Sequence, residues 1–98
     1  MRSVYIVAYD IADNKRRTRV FNKLKGYGEA LQYSLFRCIL TPMQRLQMRS
    51  DLWEILNKAE DRLLLIDLGP DEGRGKTAIE TWGLPLDDPA PSGGPLIF

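Results

Sequence analysis

The 98-residue chain contains no histidine, and that absence excludes more than any single residue supplies. Without an imidazole, neither a Ser-His-Asp nor a Cys-His catalytic arrangement is available within one chain. A zinc site of the usual nitrogen and sulfur type goes with them. Any bound metal must be held by oxygen, which points to magnesium, with manganese as the second choice. Cysteine is almost absent as well. Cys38 is the only one, so no internal disulfide can form, in keeping with a reducing compartment. Set between Arg37 and Ile39, it reads as a small core residue. No apolar run approaches the length of a membrane span. The first residues lack a signal-peptide cleavage pattern, so the expectation is a cytoplasmic protein with no membrane partner. An excess of one charge is missing too. The net charge is +1, so an argument for a polyanionic partner must rest on local clustering. The length allows one small domain, which would gain from burial against a partner.

The chain is organised around Val4-Tyr5-Ile6-Val7-Ala8-Tyr9-Asp10. Residues 3–10 read as a strand that is apolar on both faces and therefore central. Asp13 is placed to cap a helix from about Asn14 to Lys25. Between Lys15 and Lys25 stand six basic residues and no acidic one. Val20, Phe21 and Leu24 form its apolar face. Gly26 and Gly28 end it, with glycine expected in the left-handed conformation.

Residues 30–40 read as a second strand. Thr41, Pro42 and Gln44 then open a helix with a capping box. That helix is expected to reach about Ala59 and to bury Leu46, Leu52, Trp53 and Leu56. Residues 62–68 are a third strand, Pro70 to Lys76 a loop, and residues 77–82 a shorter strand. Residues 85–95 carry four prolines and two glycines. The reading is a domain over residues 1–83 and a Pro/Gly-rich C-terminal arm over residues 84–98. The fold class is α+β, the ferredoxin-like β-α-β-β-α-β pattern with a four-stranded antiparallel sheet and two helices on one face. Two helices leave the other sheet face apolar and bare. It is expected to bury itself in a two-fold dimer, with the arm adding a strand to the partner's sheet edge.

Asp10 is the first candidate for chemistry. The plain reading is a carboxylate that caps a turn. Across a dimer axis, however, two Asp10 side chains would either share a proton or hold a divalent cation. Magnesium held there could activate water for attack on a phosphodiester. Asp13 is the only other carboxylate near. The stripe Lys15, Arg16, Arg17, Arg19, Lys23 and Lys25 would ordinarily be a solvated helix face. It lacks acidic partners within the helix, and a phosphate backbone would balance it. Tyr5, Tyr9, Tyr33 and Phe36 read as core or dimer packing before base stacking. Ser34 either bonds a neighbouring backbone group or lines the rim with Asp10.

Taken in order, Val7-Ala8-Tyr9-Asp10-Ile11, Asn14 with Arg16-Arg17, Tyr27-Gly28, and Gln32-Tyr33-Ser34-Leu35-Phe36 resemble the smaller of the two universal CRISPR adaptation proteins. The resemblance covers about residues 3–68. It implies a ferredoxin-like homodimer that joins the larger adaptation integrase in acquiring new spacers. It also implies metal-dependent endonuclease activity on single-stranded RNA or double-stranded DNA. Asp10 matches the aspartate that binds magnesium across the dimer axis, and so is the expected catalytic residue and metal ligand. Arg16 and Arg17 match the arginines that contact nucleic acid, and Arg19 extends that set along the helix. Tyr9, Asp13, Ser34 and Phe36 stand as possible supporting residues. One departure is Arg37, where many members carry an acidic residue, which removes a helper carboxylate. An alternative is a non-catalytic architectural DNA-binding subunit of the integration complex. A third reading is a ferredoxin-like sensor or dimerisation module with no affinity for nucleic acid.

Overall fold

The structure is a computed structural model that describes residues 1–80, 82 and 83. Strand β1 (Ser3–Asp10), helix α1 (Asn14–Lys25), strand β2 (Gly28–Gln32) and strand β3 (Leu35–Leu40) come first. Helix α2 (Pro42–Ile55), strand β4 (Arg62–Pro70) and the single-turn helix α3 (Arg74–Thr77) follow. The sheet order is β2-β3-β1-β4, and every neighbouring pair is antiparallel. This is the expected ferredoxin-like architecture.

Alternation along β1 assigns its two faces. Tyr5, Val7 and Tyr9 are buried with Phe36, Cys38 and Leu40 of β3. Val20 and Leu24 of α1 and Met48, Leu52 and Ile55 of α2 cover them, so both helices lie on this side. Residues directly opposed in a sheet share a face. Ile6 stands opposite Arg37 and Ile66, Ala8 opposite Leu35 and Leu64, and Asp10 opposite Arg62. The second face is therefore apolar along β1 and β4, carries the Arg37–Glu29 pair on β3 and β2, and is charged at the Asp10 end. Its Ile39, Leu64 and Ile66 are 40%, 54% and 47% exposed.

Four expectations need correction. Residues 30–40 are two strands, because the chain turns back at Tyr33-Ser34. Residues 77–82 are not a strand among the described residues. Thr77 instead closes α3, and Gly75 lets that turn sit close against the sheet. A Cβ there would lie 2.7 Å from Gly69 O, 2.8 Å from Pro70 O and 3.0 Å from Val4 Cγ2. The strand count survives because one predicted strand divides and another drops out. Helix α2 ends at Ile55, since the Asn57 side chain and backbone build a turn with Ala59, Glu60 and Asp61. Its buried face is Met48, Leu52 and Ile55, while Leu46 and Trp53 are 57% and 52% exposed. Gly26 is right-handed at φ −79°, its N–H closing back on Lys23 O. The glycine required by space is Gly28, whose Cβ would lie 2.2 Å from Arg37 O. The C-terminal arm, residues 84–98, lies outside the described residues.

The Asp13 cap, through its bond from Arg16 N (2.9 Å), and the Thr41–Gln44 capping box are both present. Arg37 is paired across the β2–β3 hairpin with Glu29, directly opposite it in register. Its positive charge therefore has a structural partner.

Burial also sets an alkaline limit. It pushes the Cys38 thiol up to about 11 and raises the Tyr9 hydroxyl. Tyr27 is pushed up to about 12, first by burial and then by the bond its hydroxyl donates to Asp51. In each case the fold favours the neutral form. That stabilisation is intact below the unfolded-state values, about 8.5 for Cys and 10 for Tyr. It is lost as pH rises towards the folded values. Denaturant midpoints are expected to hold to about pH 9 and to fall above it, which a urea series between about pH 7 and 11 measures.

Candidate functional site

Asp10 is the last residue of β1 and is exposed. Two neighbours frame it. Arg62 opens β4 opposite Asp10. On the other side the Tyr33-Ser34 turn is held by two bonds from Tyr9. The Tyr9 N–H donates to Ser34 O (3.2 Å) and the Tyr9 hydroxyl donates to Tyr33 O (3.2 Å). The structure thus sets the Tyr33-Ser34 turn beside the Asp10 end of β1, with contact made through the Ser34 carbonyl. The aromatic rings stay below it. Tyr9 stacks on Phe36 with centroids 6.4 Å apart, and Phe21 meets Phe36 edge-on at 5.4 Å. Phe36 is completely buried, so its contribution is to packing.

The corner between β1 and α1 is crowded with charge, nearly all of it committed. Asp61, just before β4, has a fully buried side chain. It accepts from Ala12 N (3.0 Å), Asn57 N (2.9 Å), Arg16 Nε (2.8 Å) and Arg16 Nη2 (3.1 Å). Arg16 Nη2 also donates to Glu60 Oε1 (3.0 Å). The two-pronged guanidinium geometry is the strong form of such a pair. It holds the Asp61 carboxyl well below the usual carboxylate range and raises Arg16 above its ordinary value. Arg17 donates to Ile11 O (2.8 Å) and to Asn14 Oδ1, folding over the loop after Asp10. Asp13 is occupied as the helix cap. Among the described residues, Asp10 alone of these carboxylates has neither a hydrogen bond nor an ion pair.

Arg19 is not brought to this rim. It lines the groove between α1 and α2 with Lys23, Tyr27 and Asp51. Asp61 and Arg62 are the residues that the sequence reading missed. A signal existed: strands 1 and 4 are antiparallel neighbours in this fold. The residue before strand 4 must therefore lie beside the residue after strand 1.

The donor chemistry at Asp10 suits a hard cation. Magnesium is commonly held by one or two carboxylates with waters and substrate phosphates completing its shell. Asp10 offers two free oxygens. No group of three or more potential ligands gathers among the described residues.

The fold and rim define a class: a small ferredoxin-like domain with one solvent-facing carboxylate at the end of its central strand, beside a basic helix. The chain belongs to the family described as CRISPR associated protein Cas2, whose model matches residues 2–74. It is 47% identical over 68 residues to CRISPR-associated endoribonuclease Cas2 1 of Rhodospirillum rubrum, covering 69% of this chain and 67% of that protein. It is 43% identical over 72 residues to CRISPR-associated endoribonuclease Cas2 of Geobacter sulfurreducens, covering 74% and 76%. The crystal structure of Streptococcus pyogenes Cas2 superposes with a TM-score of 0.71 at 26% identity, covering 82% of this chain and 99% of that one.

Proposed function

We propose that this protein is a metal-dependent endonuclease of a CRISPR adaptation system, acting as a homodimer on single-stranded RNA or double-stranded DNA. One observation carries the reading: Asp10 is an exposed carboxylate with neither a hydrogen bond nor an ion pair, at a corner where the carboxylates of Asp13, Glu60 and Asp61 are all engaged. The name of its relatives, CRISPR-associated endoribonuclease, agrees with it. The face carrying Ile6, Ala8, Leu35, Ile39, Leu64 and Ile66, left bare by the helices, supports the dimer. Burying that face around a two-fold axis would bring the Asp10 rims of two chains together. Asp10 from each chain would hold magnesium, or manganese, and the bound ion would supply a water acidified for attack on phosphorus. Arg17 and Arg19, with Lys15 and Lys23, present positive charge to the phosphate backbone. Arg16 contributes through the corner that it fixes beside Asp10. The larger adaptation integrase is the proposed protein partner.

Asp10→Asn tests this reading. The side chain is exposed and unpartnered, so folding stability should change by no more than about 0.5 kcal/mol. Magnesium-dependent cleavage of a labelled RNA or DNA should fall by at least about a hundredfold. Unchanged cleavage would overturn the nuclease reading. A second reading, the non-catalytic architectural subunit, is favoured by the absence of any cluster of three or more potential metal ligands among the described residues. Under it, Asp10→Asn leaves both nucleic-acid binding and spacer integration intact.

A further inference from the structure

An open groove runs between α2 and β4 on the helix side of the sheet. Leu52, Leu56, Leu63 and Leu65 give it an apolar lining, and Trp53, 52% exposed, stands at its side. Trp53 also lines a smaller hollow with Leu46, Arg49 and Ser50, so the indole borders two depressions. The unpaired charge in the groove is all positive. Arg45, Arg49, Lys58 and Arg62 line it, and among the described residues none of the four pairs with a carboxylate. The acid in the lining, Asp61, is consumed by Arg16. Arg45, Arg49 and Trp53 follow one another at four-residue spacing on α2 and so share one helix face. Lys58 Nζ stands 4.5 Å from the Trp53 ring centroid and the Arg49 guanidinium 5.9 Å from it.

An exposed aromatic ring among unbalanced cations suits single-stranded nucleic acid. Its bases offer flat faces for stacking, and its phosphates need positive charge. A duplex keeps its bases stacked inside and would meet only the cations. An acidic peptide would also balance the charge, but the position of the groove favours nucleic acid. Arg62 both lines the groove and stands opposite Asp10 in the sheet register. The groove therefore reaches the rim where phosphodiester chemistry is proposed. A dimer formed through the bare sheet face would leave it open, because the groove lies on the opposite, helix-covered side.

We propose that the α2–β4 groove binds single-stranded nucleic acid, with a base stacked on Trp53, phosphates on Arg45 and Arg49, and Arg62 carrying the backbone on to Asp10. A base entering over the indole displaces the Lys58 ammonium from the ring and leaves that cation free for the adjacent phosphate. The inference rests on the reading that this protein acts on nucleic acid. It adds a path for the strand separate from the basic stripe of α1, and a preference for single strands over duplex.

The test uses the full chain carrying Trp82→Phe, titrated without magnesium so that binding is read apart from cleavage. Trp82 is 89% exposed, and its replacement leaves Trp53 as the sole tryptophan. A fluorescently labelled oligouridylate should bind and quench Trp53 emission, and a DNA duplex should leave that emission unchanged. Trp53→Ala should weaken oligouridylate binding about tenfold by anisotropy, and Trp53→Phe should restore most of it. Arg45→Ala/Arg49→Ala should weaken it as well and lower the salt slope by about 1.4, the share of two phosphates on a single strand. Oligouridylate that binds without quenching Trp53, or that binds Trp53→Ala as tightly as the parent, overturns the proposal. Quenching by an acidic, leucine-containing peptide and not by oligouridylate overturns it in favour of a protein partner. The nuclease reading fails separately: unchanged cleavage in Asp10→Asn with Trp53 still quenched keeps the groove and removes the nuclease, whereas lost cleavage with Trp53 unquenched does the reverse.

Discussion

Replacing Asp61 with alanine is expected to lower the melting temperature by roughly 10 °C, the largest loss from any charged residue in the chain. Among the described residues, its carboxylate is the one acceptor shared by the loop after β1, the first turn of α1 and the turn after α2. Removal strands the Ala12 and Asn57 N–H groups and frees Arg16 except for its bond to the exposed Glu60. Asp61→Asn keeps the shape but turns an N–H₂ towards the guanidinium, so most of the loss should remain. The sign with pH follows from the direction of the shift. The folded state holds Asp61 below its ordinary range, so its stabilisation is complete above the unfolded value near 3.9 and drains away as pH falls. The variants should therefore show a flatter acid limb than the parent in thermal melts between about pH 2 and 6. An Arg16→Ala, Asp61→Ala double-mutant cycle separates two tasks for Arg16. Strong non-additivity in stability marks the lock. A loss of nucleic-acid affinity in Arg16→Ala that Asp61→Ala does not reproduce would mark direct phosphate contact.

The second large effect is expected at Phe36. Its ring has no exposure and lies between Tyr9 and Phe21. Phe36→Ala removes the transfer free energy of the ring and leaves a cavity, costing about 3–5 kcal/mol. Against a typical stability of about 5–15 kcal/mol, that brings the domain close to unfolding. Phe36→Leu retains most of the volume and should recover most of the urea midpoint. If Phe36 acted by touching nucleic acid, Phe36→Leu would instead lose affinity at unchanged stability.

The fold was legible where the chain states its pattern strongly. The two-sided apolar run of β1 made it central, and Asp13 and Thr41 marked the two helix starts. The hairpin was hidden because Tyr33-Ser34 carries neither glycine nor proline, so residues 30–40 read as one run. The predicted strand at 77–82 failed because Gly75 admits a close helical turn that local alternation does not announce. At the site, Asp10 stood out through its place at the end of β1. The pair that fixes the corner did not, because Arg16 and Asp61 are 45 residues apart and meet only through the pairing of β1 with β4. The basic stripe of α1 therefore appeared wholly unbalanced, when its first arginine is spoken for.

The sheet order carries a consequence for the order of events during synthesis. β1 emerges first, yet its neighbours in the sheet are β3 and β4, and no hairpin links it to either. At about 5–20 residues per second, several seconds separate translation of β1 from that of β4. Through that interval the central strand of the sheet has no edge to close against, and among the described strands only the β2–β3 hairpin offers local pairing. Folding must wait for non-local pairing, which places it among the slower small domains. The β1–α1 corner beside Asp10 likewise stays open until Asp61 arrives, just ahead of β4.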